Sequence, residues 1–280
     1  MARVEDTASL AAAEADISLD AVRRLDAVFR GGAGVFSILV LLIAWEVFAR
    51  SGKVTPFMLP PFSVVVERIY SDAVAGDLWR NLGLTMYRAL TGFVIAAVGG
   101  VALGALMSRS RLARWFFDPI ISVGFPMPKI AFLPIIILWL GLYDVSKISI
   151  IVFDAIFPVV TATLAGIASV DKVLLWSGRN MGAGEREMMW QIVLPAALPQ
   201  ILTGLQVALP IALIVAITAE MAMGGYGLGG AMMTASRYAN SPGVFAGIVE
   251  IAIVGYALIK AMAVMRRRLL VWHQETAGHA

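Results

Sequence analysis

The chain has 280 residues, of which 60% are hydrophobic and 15% are charged. A soluble domain of this size carries roughly 25% charged residues, so the composition predicts a membrane protein. The sequence has no cysteine and two histidines, His273 and His279, which argues against a disulfide framework, a zinc centre or a Ser-His-Asp triad. The net charge of +3 is better explained by basic residues distributed unevenly across a membrane than by nucleic-acid binding.

Six apolar segments are long enough to cross a bilayer as helices, which requires about 20 mostly apolar residues. They cover approximately residues 33–49, 84–107, 117–142, 147–168, 196–223 and 244–264. None of them alternates with a period of two, which excludes a membrane barrel. We therefore predict an all-α membrane protein with one transmembrane domain over residues 31–268. Residues 1–30 form a tail whose acidic, alanine-rich start does not resemble a signal peptide, and residues 269–280 form a second tail.

Lysine and arginine predict the orientation of these spans. The richer set of loops carries Arg23, Arg24, Arg30, Arg109, Arg111, Arg114, Lys172, Arg179, Arg186, Arg266, Arg267 and Arg268. The alternate loops carry Arg50, Lys53, Arg68, Arg80, Lys147 and Arg237. Because basic loops stay in the cytoplasm, both termini are predicted to be cytoplasmic. The short amphipathic stretch 63–70 is then expected to lie along the outer membrane interface.

A polar island between the fourth and fifth spans is the most informative part of the sequence. Asp171 is a suitable cap for a short helix, which Gly182 and Gly184 would end. Residues 185–192 can then form a second helical segment, and Pro195 and Pro199 suit the first turn of the fifth span. This arrangement predicts a short cytoplasmic helix tied closely to a transmembrane helix.

The island also carries a spaced motif, G-x9-I-x-L-P, formed by Gly182, Ile192, Leu194 and Pro195. This motif resembles the second half of the EAA-x3-G-x9-I-x-L-P signature of ABC importer permeases. The chain departs from the first half, because Trp176, Ser177 and Gly178 stand where the family has EAA. A salt bridge that the family makes through that glutamate therefore cannot form here.

The resemblance extends over approximately residues 59–273. Thr85, Arg88 and Gly92 fit the T-x2-R-x3-G pattern of these permeases, and residues 126–141 resemble the P-x-P-x2-A-x2-P-x4-W-x-G stretch of the nitrate/sulfonate/taurine branch. Leu59-Pro60-Pro61, the stretch 220–229 and the ending RRRLLVWH match the family as well. The chain is similar to the permease subunits of this branch.

The resemblance implies the type I ABC importer permease fold in a bacterial inner membrane. It implies a homodimer with two ATPase subunits, an external substrate-binding protein and surrounding lipid as partners, and no nucleic acid. ATP and Mg would be bound by the ATPase, since Ser51-Gly52-Lys53 is not a phosphate loop, and no catalytic, cofactor or metal site is expected in this chain. The residues expected to dock on the ATPase are Arg179, Gly182, Ala183, Glu185, Arg186, Glu187 and Met188.

Polar residues inside the predicted spans are candidates for the translocation pathway, because charges there are costly and are commonly functional. These candidates are Arg88, Lys129, Pro126, Pro128, Asp154 and Glu220. Arg88 would either extend to the outer interface or line the pathway, and Arg88 or Lys129 would attract an anionic substrate. Asp154 would pair with Lys129 or Arg88, or contact a polar substrate.

Glycines mark two further features. Glu220 lies 25 residues after Pro195, about 37 Å along a helix, and so near the outer face. The glycines that follow it, Gly225, Gly227 and Gly230, are expected to form an external turn or to allow close helix packing. Gly99-Gly100 and Gly104 are expected to form a helix-packing face.

The predicted substrate is a small anion such as a sulfonate, taurine or nitrate. A pyrimidine precursor or an aromatic acid is the alternative within the family. A different class, an ion-coupled secondary transporter using Arg88, Asp154 and Glu220, would be expected to show inverted repeats, which the sequence does not display. A membrane enzyme is a weaker third alternative because no catalytic constellation is present.

Overall fold

The computed structural model describes residues 36–270, which contain helices and no strand. The predicted N-terminal tail with its arginines, the first residues of the first span, and His273 and His279 lie outside the described residues. Compact packing divides the chain at Val66, and each part is described by itself.

In the first part, helix α1 covers residues 36–50. A turn then leads to Pro60, whose carbonyl accepts a hydrogen bond from Trp45 Nε1 at 3.0 Å. The Glu46 carboxylate accepts a hydrogen bond from the Ser63 backbone N–H at 3.0 Å. Helix α2, Phe62–Ala75, starts there, continues beyond the division and contains the amphipathic stretch 63–70.

The second part contains the remaining helices. They are α3 (Asp77–Arg109), α4 (Arg111–Gly124), α5 (Leu133–Leu140), α6 (Asp144–Ala168), α7 (Lys172–Asn180), α8 (Glu185–Glu187), α9 (Leu194–Met223), α10 (Leu228–Arg237) and α11 (Ser241–Leu269). A 3₁₀ turn, Lys129–Phe132, precedes α5, and a π-helical turn, Met188–Val193, joins α8 to α9.

Four helical stretches of the described residues are long and apolar enough to cross a membrane: Asp77–Arg109, Asp144–Ala168, Glu185–Met223 and Ser241–Leu269. The predicted third span, 117–142, is not one straight helix. It divides into Arg111–Gly124 and Lys129–Leu140, bent by 98°. Pro126 and Pro128 lie in the break, where a proline cannot donate a helical hydrogen bond. The described residues therefore contain four candidate spans, or five if the bent pair is one span.

The core lies where α3, α6 and α9 meet, and small residues allow this close contact. A Cβ atom built on Gly100 would lie 2.7 Å from Val159 Cβ, and one built on Gly104 would lie 2.7 Å from Thr163 Cβ. Gly92 and Gly100 are eight residues apart, so they lie on the same face of α3 as Gly104. Gly99 is not part of this face, because a Cβ there would be in ordinary contact at 3.6 Å.

Candidate functional site

The polar island folds as a helix, a tight turn and a second helix. Asp171 caps α7 by accepting a hydrogen bond from the Val173 N–H at 2.8 Å. The turn follows Asn180 and requires a left-handed residue, which Gly182 supplies with φ +83°. The Ala183 N–H then donates to the Gly178 carbonyl at 3.1 Å, which closes the end of α7. These features agree with the predicted cap and turn.

The second half of the island is continuous with a span. The Glu187 carboxylate accepts a hydrogen bond from the Gly184 N–H at 2.9 Å and so stabilises the start of α8. The helical path then runs without interruption for 39 residues, Glu185–Met223. The π turn just before Pro195 widens the backbone where proline cannot donate its hydrogen bond. Helix α8 is therefore continuous with the fifth predicted span.

The two halves are held together by a contact at Gly178. A Cβ atom there would lie 2.7 Å from Met188 Sδ and would also overlap Ile192 Cδ1. Ile192 of the spaced motif thus packs on Gly178, the third residue of the triplet that differs from the family. The residue at position 178 must therefore be small. Met188, predicted to dock on an ATPase, is 8% exposed and belongs to this internal contact.

The other predicted docking residues lie at the surface of this segment. Arg179, Gly182, Glu185, Arg186 and Glu187 are exposed, and Ala183 is half-buried. Glu185 also pairs with Arg109 at the end of α3, at 2.9 Å.

The sequence reasoning missed the apolar part of the same surface. Trp176 is 60% exposed and Met181 is 77% exposed. Large exposed apolar side chains in a cluster mark interaction surfaces. Their position in an otherwise polar island was the signal that could have identified them.

At the other end of the span, Glu220 lies in a buried network. Its carboxylate accepts hydrogen bonds from Arg88 Nη1 at 2.6 Å, from Thr85 Oγ1 at 2.9 Å and from the Gly229 N–H at 3.1 Å. Arg88 Nε also pairs with Asp144 at 2.8 Å. Arg88 is buried within this network.

This network also holds the glycine-rich loop. The Tyr226 carbonyl accepts a hydrogen bond from Arg88 Nη1 at 2.7 Å, and the Gly224 carbonyl accepts one from Lys147 Nζ at 2.9 Å. Gly224, Gly225 and Gly227 have positive φ angles, which a turn of this shape requires. The predicted turn is therefore present, and the structure adds Asp144 and Lys147 as residues that sequence reasoning did not connect to it.

The second buried pair lies at the break between α4 and the 3₁₀ turn. Lys129 Nζ is 3.0 Å from Asp154 Oδ1 and donates to the Phe125 carbonyl at 2.8 Å. The predicted partner of Asp154 is thus Lys129 and not Arg88. Pro126 and Pro128 are exposed beside this pair.

A cavity of about 250 Å³ adjoins the Lys129–Asp154 pair. Its lining is Phe125, Lys129, Asp154, Pro158, Ile211, Ile214 and Val215, drawn from the break, α6 and α9. The six pathway candidates therefore form two clusters, one around Arg88 and Glu220 and one around Lys129 and Asp154. Within residues 36–270, no group of three histidine, cysteine or carboxylate side chains is placed to hold a metal ion.

Comparison with known proteins gives concordant results. The family described as the binding-protein-dependent transport system inner membrane component matches residues 90–271. The taurine transport system permease protein TauC of Escherichia coli (strain K12) is 32% identical over 244 residues, covering 85% of this chain and 89% of the relative. The putative aliphatic sulfonates transport permease protein SsuC of Bacillus subtilis (strain 168) is 32% identical over 245 residues, covering 88% and 89%.

A solved structure supports the fold. An inward-facing conformation of the MetNI methionine ABC transporter aligns with a TM-score of 0.57 and 20% identity, covering 70% of this chain and 95% of that chain. The relatives are permease subunits and not enzymes. This chain therefore belongs to the binding-protein-dependent transport system inner membrane component family, the permease subunits of ABC transporters.

Proposed function

We propose that this chain is the transmembrane permease subunit of an ATP-driven importer in a bacterial inner membrane. It has six spans with both termini in the cytoplasm, a permease domain over residues 31–268 and tails over 1–30 and 269–280. The observation that carries the proposal is the continuous helix Glu185–Met223, which joins the exposed island to the membrane core. Family membership supports the same function.

The segment 171–195 transmits force from a partner ATPase. Arg179, Gly182, Ala183, Glu185, Arg186 and Glu187 contact the ATPase, and the exposed indole of Trp176 adds an apolar contact where the family has a glutamate. Met188 acts from inside by bracing α7 against the long helix through Gly178. The partner binds ATP and Mg, and closure of two ATPase subunits moves both copies of the segment together.

The permease works as a pair of identical chains fed by an external binding protein. The surface of helix α11 is consistent with this assembly and with a lipid environment. The helix is long and apolar, and almost all of it is exposed in a single chain. Its exposed residues include Ile253, Tyr256 and Ile259. A surface of this kind requires lipid or another protein against it.

The substrate is a small organic sulfonate. The relatives named for taurine and aliphatic sulfonates support this choice over a pyrimidine precursor or an aromatic acid. The basic side chain of Lys129 lines a small cavity within the predicted spans, where it is available to the sulfonate group of such a substrate.

Docking is tested by crosslinking, which is simple because the chain has no cysteine. A single cysteine at Glu187→Cys is expected to crosslink to the ATPase. Met188→Cys is expected not to crosslink, because the Met188 side chain is buried. Asp77→Cys is the control, since Asp77 lies at the end of α3 away from the island. Crosslinking from Asp77→Cys, with none from Glu187→Cys, would contradict the proposed orientation and docking.

Coupling is tested by charge reversal and by uptake. Arg186→Glu is expected to reduce ATPase co-purification at least about tenfold, since like charges at an interface cost several kcal/mol. Arg111→Glu, an exposed arginine of α4 outside the segment, is the matched control. Uptake into liposomes by the purified chain without an ATPase would instead establish the ion-coupled alternative.

A further inference from the structure

The cavity beside Lys129 and Asp154 has hydrogen-bonding capacity that the protein does not use. One Asp154 carboxylate oxygen, Oδ1, faces Lys129 Nζ at 3.0 Å. Among residues 36–270, nothing donates a hydrogen bond to the other oxygen, Oδ2. The Asp154 side chain is 21% exposed and lines the cavity, so part of this side chain is open to a small ligand.

Pro158 removes one helical hydrogen bond at the same place. A helical carbonyl is normally bonded by the N–H four residues later, and for Asp154 that residue is Pro158, which has no N–H. The Asp154 carbonyl therefore loses its helical donor, and Pro158 itself lines the cavity. Two oxygen acceptors on one residue, one of them charged, suit an ammonium group.

Lys129 supplies the opposite chemistry. Its ammonium group has three donors, and the Phe125 carbonyl and Asp154 engage two of them. The third remains for an oxyanion in the cavity. Phe157, whose ring centroid is 4.7 Å from Nζ, holds the lysine head in position.

The charge balance of the cavity distinguishes between ligand classes. Lys129 and Asp154 together are neutral, so a simple anion that binds Lys129 also meets the Asp154 carboxylate and is repelled by it. A ligand with an ammonium group at one end and an oxyanion at the other satisfies both residues. The volume of about 250 Å³ limits such a ligand to a small molecule.

We propose that this cavity is a subsite for a small zwitterion, whose ammonium group binds Asp154 and whose oxyanion binds Lys129. The inference rests on the proposed permease function and deepens it by naming the substrate class. Asp154 is then a specificity-determining residue, since it separates amino-sulfonates from sulfonates without an amine. The cavity lies at the break in the third predicted span, where irregular backbone needs protein or water partners.

The test measures equilibrium binding to the purified permease–ATPase complex in nanodiscs, without the external binding protein. The probes are taurine, ethanesulfonate and ethylamine, which share a two-carbon linker and carry both charged groups or only one. Because a charge-assisted hydrogen bond changes affinity roughly tenfold to a hundredfold, the wild-type complex is expected to bind taurine at least tenfold more tightly than either analogue. Equal or weaker binding of taurine overturns the proposal without any variant.

Variants assign the two ends of the ligand. Asp154→Asn is expected to weaken taurine at least tenfold and to leave ethanesulfonate unchanged or tighter, and Lys129→Gln to weaken both. Asp154→Glu is expected to keep the preference, and Asp118→Asn, an exposed carboxylate of α4, is the charge-matched control. An unchanged taurine preference in Asp154→Asn would make the pair purely structural and overturn the subsite. ATP-driven uptake by the wild-type complex with its binding protein tests the permease function separately.

Discussion

Removal of the Glu220 carboxylate is expected to destabilise the end of the α9 span more than removal of any surface charge. Glu220 is completely buried and receives hydrogen bonds from Arg88, Thr85 and the Gly229 N–H. Glu220→Ala leaves the guanidinium of Arg88 without one of its two carboxylates and leaves the Gly229 N–H without an acceptor. Glu220→Gln retains the shape and loses the charge.

The magnitudes follow from these contacts. Breaking a buried ion pair from one side costs about 3–5 kcal/mol, so Glu220→Ala is expected to lower stability by that amount. In Glu220→Gln the Asp144 carboxylate still compensates the charge of Arg88. The loss of stability then comes only from weaker hydrogen bonds and is expected to be about 2 kcal/mol. Asp72→Asn, which breaks the partly exposed Arg68–Asp72 pair on α2, is expected to cost less than about 1 kcal/mol.

The assay is thermal unfolding of the purified complex, followed by tryptophan fluorescence. Since 1 kcal/mol shifts Tm by roughly 2–4 °C for a domain of this size, Glu220→Ala is expected to lower Tm by about 10 °C and Glu220→Gln by about 6 °C. Asp72→Asn is expected to lower it by less than about 4 °C. A double-mutant cycle with Arg88→Met is expected to give a coupling of at least about 1 kcal/mol.

The reasoning would be refuted by a Tm for Glu220→Ala within 2 °C of the wild type, or by a loss no greater than that of Asp72→Asn. Either result would mean that Glu220 is not the anchor of the glycine-rich loop. If the stability losses of the Arg88 and Glu220 variants were additive, the two residues would not interact, and the reasoning would be refuted as well.

Two further predictions concern helix packing and the island. Gly100→Val is expected to lower the free energy of unfolding by about 1–3 kcal/mol or more, because the new side chain meets the stiff Val159 Cβ. Gly83→Val on the same helix faces open space and is the control. An equal loss of Tm in both variants would contradict this packing face. Asp171→Ala is expected to cost about 1 kcal/mol of local helix stability and to accelerate amide exchange in α7. Asp171→Asn retains the cap and is the control. Identical amide exchange in both variants would show that the cap is unimportant.

Much of the island followed from its sequence because the determining interactions there are local. The Asp171 cap and the Gly182 turn each depend on residues within a few positions of one another. The contact of Gly178 with Met188 and Ile192 spans a longer stretch. The sequence alone did not show that Met188 packs there, or why the third residue of the mismatched triplet is small. Packing between two helices decides which face of each helix is covered.

The break in the third predicted span illustrates a different limit. Hydropathy averaged over residues 117–142 predicts a single span, because a window measures composition and ignores direction. The prolines pointed to an interruption, but the 98° bend depends on how the two pieces rest on the neighbouring helices. Composition therefore predicted an apolar segment here, and packing determined its shape.

The sequence by itself determined the class of protein and the local structure of the island, because hydropathy and spacing are properties of contiguous residues. The sidedness that the charge distribution indicates remains a prediction. Only the tertiary structure decided which buried charges meet. Arg88 and Glu220 form a pair although they are 132 positions apart in the sequence. Asp154 pairs with Lys129 and not with Arg88. Such pairs depend on the register in which α3, α6 and α9 pack, which the close contacts of small residues determine.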